Sequence, residues 1–87
     1  MTFHITYKAS LPQRDDIQDR FKKTGAPPPS GVTMKSRWHS INGNKGFIIA
    51  ESDDLEVLGR WIQEWSDLIA FEVIPVLSDE QIGRIIS

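Results

Sequence analysis

Residues 3–8, Phe-His-Ile-Thr-Tyr-Lys, alternate apolar and polar side chains, the period of a strand with one buried face. The next segment changes period. Pro12 fits a first helical turn, Asp15 and Asp16 suit the positive end of a helix, and Ile17 and Phe21 stand one turn apart as an inward stripe. Lys22 and Lys23 suit the negative end and Gly25 a stop, so a helix is expected from about residue 12 to 24. Between Gly25 and Gly31 stand Pro27, Pro28 and Pro29, which favour a stiff extended connector.

Alternation resumes from Val32 to His39. It puts Val32, Met34 and Trp38 on one side and Thr33, Lys35, Arg37 and His39 on the other. Asn42-Gly43-Asn44 is turn chemistry, because Asn and Gly tolerate positive φ. Gly46 to Glu51 returns as the second arm of a hairpin, and its apolar residues on both faces mark a central strand. Asp53-Asp54-Leu55-Glu56 reads as a capping box with Asp53 as the cap. Leu55, Leu58, Ile62, Trp65 and Ile69 follow as a helical stripe, widened by Val57, Trp61 and Leu68. Ala70 to Leu77 reads as a strand, placed at a sheet edge by Pro75, which cannot donate to a ladder. Ser78-Asp79-Glu80-Gln81 repeats the capping pattern and opens a short last helix carrying Ile82, Ile85 and Ile86.

The resulting order is β-α-β-β-α-β plus a short C-terminal helix. That is the ferredoxin-like arrangement of the α+β class, with an antiparallel sheet ordered 4-1-3-2 and both main helices on one face. The 87 residues suit a single domain, 1–87. Phe3, Ile5, Tyr7, Val32, Met34 and Trp38 are expected to face the helices. The open face then receives His4, Thr6, Lys35, Arg37 and His39, together with Glu72, Ile74 and Val76. Such a face is too apolar to stay bare and too polar for an ordinary core. A second copy covering it is the simplest solution, so a homodimer through the open sheet face is expected.

Composition narrows the function classes. The net charge of -2 argues against a general nucleic-acid binder, which needs a basic face. The chain has no Cys, which excludes disulfides, thiolate zinc sites, iron–sulfur clusters and Cys nucleophiles. Phe47-Ile48-Ile49-Ala50, the longest apolar run considered, is too short to cross a bilayer, and the N-terminus shows no signal-peptide pattern. A cytoplasmic protein without membrane association is the expectation. Residues 1–45 carry a charge of +5 and the remainder -7. Interleaved halves could pair these charges, although exposed pairs contribute little and solvated surfaces account for them equally well.

Three chemical readings compete. His4, Arg37, His39 and Glu72 share the expected open face. There histidine could move protons, Glu72 could act as a base and Arg37 could hold an anion. The bland alternative makes them rim residues that set dimer register. His4, His39 and a carboxylate are metal-ligand types. The topology separates their strands, so no metal site is expected within one protomer. Tyr7, Trp38, Trp61, Trp65 and Phe71 could line a ligand pocket between sheet and helices, or simply fill the core of a small domain. Ser36 and Ser40 lack a base arrangement for nucleophilic catalysis. There is no glycine-rich phosphate loop, since Gly43-Asn44-Lys45-Gly46 is a hairpin turn by position. No cofactor is expected.

The segment from Trp61 to Val76 reads W-x3-W-x-D-L-x2-F-E-V-x-P-V. With the Arg37-Trp38-His39 strand, the glycine turn and Phe47 to Glu51 leading into Asp53-Asp54, it resembles a bacterial domain-of-unknown-function family of about this length. That family is similar to the dimeric α+β barrel group, in which two ferredoxin-like protomers pack sheet against sheet. The resemblance implies the fold and the dimer and supplies no catalytic residue. The resulting expectation is a small-molecule or protein-partner binding module, the latter through the edge strand or the Pro27–Pro29 loop. The alternative is a cofactor-independent monooxygenase- or isomerase-like enzyme built on His4, Arg37, His39 and Glu72.

Overall fold

The structure, a computed structural model, describes residues 1–87. Seven elements follow one another: β1 (Thr2–Lys8), α1 (Leu11–Thr24), β2 (Val32–His39), β3 (Lys45–Ser52), α2 (Leu55–Trp65), β4 (Ala70–Val76) and α3 (Asp79–Ile86). The four strands form one antiparallel sheet ordered β2-β3-β1-β4. Read from the other edge this is 4-1-3-2, the ferredoxin-like α+β arrangement.

Local chemistry accounts for most boundaries. Gly25 ends α1 in the left-handed conformation at φ 71°, and its N–H donates to the Phe21 carbonyl. Asp15 and Asp16 lie past the first turn of α1, which contains no acidic residue, so they do not serve the helix end as expected. The cap of α2 is Asp54, whose carboxylate accepts from the Val57 N–H. The sequence expectation placed that cap one residue earlier. Asp53 is instead exposed and pairs with the N-terminal ammonium. The second capping box forms as the pattern suggests, with Ser78 and Gln81 reciprocally bonded.

The core lies between the sheet and helices α1 and α2. One cluster joins Phe3, Ile5, Val32, Ile48 and Ala50 to Leu58 and Trp61 of α2. A second joins Tyr7 and Ala9 to Ile17 of α1, Trp65 of α2 and Ile69. Ile5 and Ala50, on the two central strands, are fully buried. The side chain of Arg20 ties the helices together with two hydrogen bonds to the Asp67 carboxylate, of 3.0 and 2.7 Å, and one to the Glu64 carbonyl. Arg20 also lies 5.1 Å from the Trp65 ring centre.

The β2–β3 pairing carries the main departure from simple alternation. Met34 pairs with Ala50 and Ser36 with Ile49, leaving Lys35 as an extra residue in a β-bulge. A bulge inserts one unpaired residue and exchanges the faces of everything after it. Arg37 and His39 therefore share the helix-facing side with Ile48 and Gly46, their partners on β3. Trp38 pairs with Phe47 on the opposite side and is 60% exposed. This corrects the expected faces of all three. On β4, Phe71 and Val73 pair with Tyr7 and Ile5, so Glu72, Ile74 and Val76 take the open face.

Candidate functional site

The bulge divides the residues that alternation had grouped. His4 and Glu72 stay on the open face, on adjacent strands, where His4 pairs with Ile74 and Glu72 with Thr6. Arg37 and His39 stand on the other side of the sheet. The sheet sets Arg37 apart from His4 and Glu72, whereas His39, at the end of β2, also borders the open-face cleft that His4 and Glu72 line.

The helix-facing side holds a cavity of about 690 Å³, within the range of about 300–1,000 Å³ usual for small-molecule sites. Tyr7, Trp61, Trp65 and Phe71 line it, as do Ile48 and Ile69. Trp38 does not. It lines a second cleft on the open face with His4, Phe47 and Glu72. Tyr7, His39, Ser40 and Phe71 are common walls of both spaces.

The polar end of the cavity is built from one row across three strands. Tyr7 on β1 and His39 on β2 both pair with Gly46 on the strand between them. A Cβ on Gly46 would fall 2.3 Å from the Tyr7 ring and 2.3 Å from the Trp38 carbonyl oxygen. Only glycine lets the phenol ring cross β3 in that position. The Tyr7 hydroxyl thereby reaches His39 Nδ1 at 2.5 Å. It makes no other hydrogen bond within the chain; in the tautomer in which the phenol donates to Nδ1, the imidazole proton sits on Nε2. Nε2 has no hydrogen-bond partner within the chain.

Arg37 is the second half of this end. Its guanidinium donates to the carbonyls of Ala26 at 2.7 Å and Gly25 at 3.1 Å, and lies 4.8 Å from the Phe21 ring centre. Both carbonyls come from residues with positive φ, 71° at Gly25 and 44° at Ala26. For alanine that conformation costs about 1–2 kcal/mol. The turn is thus held in a strained shape that aims two consecutive carbonyls at one guanidinium. No carboxylate of the chain lies within 4.0 Å of it; Arg20, Arg14 and Arg84 all have such partners.

The titration of these groups follows from their setting. Burial, reinforced by the neighbouring guanidinium, holds the His39 imidazole below its ordinary value. The ring is therefore neutral near pH 7. Burial pushes the Tyr7 phenol up, opposed by Arg37, and lowers Arg37, opposed by Tyr7. The result is a largely apolar, aromatic cavity with the Arg37 guanidinium and the His39 imidazole at one end and the exposed Asp15, Asp19 and Lys22 of α1 along its wall.

Sequence reasoning placed Arg37 and His39 on the wrong face and did not single out Phe21, Ala26 or Gly46. Gly46 carried a signal, since a glycine inside a strand marks a bulge or a close approach. The position of Gly25 and Ala26 beneath Arg37 had none.

Over residues 1–87 the chain matches the family model described as Domain of unknown function (DUF3303). No curated protein matches it.

Proposed function

The chain belongs to this family of unknown function, and from that premise we propose that it is a small-molecule-binding protein acting as a homodimer. The observation that carries the binding reading is the aromatic cavity between sheet and helices, with Tyr7, Arg37 and His39 among its few inner polar groups. A filled core would leave no such space beside Trp61 and Trp65, and apolar walls with a few placed polar groups are the usual make-up of a ligand site.

The homodimer reading rests on the open face. Trp38 is 60% exposed there, beside partly exposed Phe47 and Ile74. An apolar surface of this kind rimmed by Thr6, Lys45 and Glu72 suits a self-complementary interface. α3 likewise leaves Ile82, Ile85 and Ile86 exposed.

A second reading, a cofactor-independent isomerase- or monooxygenase-like enzyme, is favoured by one observation: a neutral imidazole hydrogen-bonded to a phenol in the cavity. It requires Tyr7, Arg37 and His39 as the reacting set, without His4 and Glu72.

Native mass spectrometry of gently purified protein tests the proposal. A dimer carrying a discrete added mass is the expected result. Titration with anilinonaphthalene sulfonate, an aromatic probe, should quench Trp61 and Trp65 emission with saturation at one site per protomer. Failure of the probe to quench, together with no added mass, would remove the binding reading.

A further inference from the structure

The cavity lining holds two carboxylates, Asp15 and Asp19, and two cations, Lys22 and Arg37, and neither carboxylate pairs with Arg37. The Arg37 guanidinium is half-buried, bonded to the neutral carbonyls of Gly25 and Ala26, and without a carboxylate partner. Burying part of a cation is costly unless an anion compensates it. Arginine keeps this charge at any physiological pH and presents further N–H groups in a planar fork suited to a carboxylate or similar anion.

Two other features agree. His39 Nε2 has no partner within the chain and lies on the same strand face as Arg37, and in the tautomer whose Nδ1 accepts from Tyr7 it is a second donor. The strained Gly25–Ala26 turn fixes the guanidinium from behind, which limits the ordering that a ligand would have to induce. Beyond this polar end the walls are Trp61, Trp65, Phe71 and Ile69, which suit a flat apolar body.

We propose that the cavity is an anion-selective site for a small aromatic acid, whose carboxylate or equivalent group is received by Arg37 and the His39 Nε2–H while its ring lies against Trp61 and Trp65. This rests on the cavity being a binding site and adds the chemical class of its ligand. Asp15, Asp19 and Lys22 of α1 also line the cavity, but all three are exposed. Water and salt screen them more than they screen Arg37.

The test compares two probes with one skeleton, the anionic anilinonaphthalene sulfonate and the neutral phenylnaphthylamine, by Trp quenching of the full chain. Wild-type protein should prefer the anion by about tenfold or more, the worth of a charge-assisted hydrogen-bonded contact. That preference should shrink as salt is raised. Arg37→Met should abolish the preference, and Lys22→Met should leave it intact. Equal wild-type affinities for the two probes would overturn the anion assignment and leave the cavity reading standing. Loss of the preference in Lys22→Met would overturn it in favour of surface charge. If neither probe binds, the assignment falls together with the cavity reading. The wild-type comparison and its salt dependence decide the question even if Arg37→Met does not fold.

Discussion

Gly46 shows how one missing side chain can organise a site. It sits between Tyr7 and His39 in a single row of the sheet, and the phenol passes over it to reach the imidazole. The imidazole in this row also sets a pH dependence. His39 titrates below its ordinary value in the folded chain because of burial and the Arg37 charge. Between its folded and unfolded values the unfolded chain binds more protons, so stability rises with pH across that window. This contribution is complete above the unfolded value, declines as pH falls towards the folded value, and changes no further below it. The urea midpoint should therefore drop as the pH falls below the ordinary histidine value of about 6.5, and that of His39→Gln should drop less. Tyr7, Arg37, Asp15, Asp19 and Lys22 face the same space and are common to both proteins, so the difference in slope isolates the imidazole. Equal slopes would show that His39 does not sense the cavity.

At the scale of elements, capping chemistry is the most legible part of the chain. Ser78 to Gln81 forms the box its pattern announces. At α2 two adjacent aspartates compete, and the backbone geometry selects Asp54, with Ser52 Oγ accepting from its N–H and donating to the Gly31 carbonyl. Asp54→Ala should cost about 1 kcal/mol in denaturant unfolding, as loss of a side-chain cap does. Asp53→Ala removes only an exposed ion pair and should change stability by less than about 0.5 kcal/mol. Reversed magnitudes would return the cap to Asp53. The least legible element is β2. Val32, Met34 and Trp38 fit a regular strand as read, because alternation is a property of one strand alone. Whether two strands stay in step depends on their pairing, and Lys35 breaks step with β3. That one residue moves Arg37 and His39 to the cavity side and turns Trp38 away from it.

At the scale of the molecule, the sheet has a covered and an uncovered face, and the charge-rich halves meet only locally. Arg20–Asp67 and Lys35–Glu51 join the basic first half to the acidic second, and the other charges are largely solvated. The uncovered face presents Trp38, Phe47 and Ile74, and α3 leaves its isoleucines exposed. No helix is long and apolar enough to cross a membrane. Under the homodimer proposal, Trp38→Glu replaces an exposed aromatic anchor on the edge strand β2 with a charge. It should raise the dimer dissociation constant at least about thirtyfold by sedimentation, as loss of an aromatic anchor does. Anilinonaphthalene sulfonate binding should persist, because Trp38 does not line the cavity between sheet and helices. A wild-type monomer at micromolar concentration would remove the dimer.

By itself the sequence determined the element types, their order, the sheet topology they allow and, of the five aromatic residues grouped on one side, the four other than Trp38 that line the cavity. Those follow from periodicity, caps and turn residues, which act over a few neighbours. Only the tertiary structure decided which face Arg37, Trp38 and His39 occupy, that a phenol crosses Gly46, and that the carbonyls of Gly25 and Ala26 hold a guanidinium lacking a carboxylate partner. Each of those depends on register between strands distant in the chain, where a single unpaired residue exchanges every side chain that follows it.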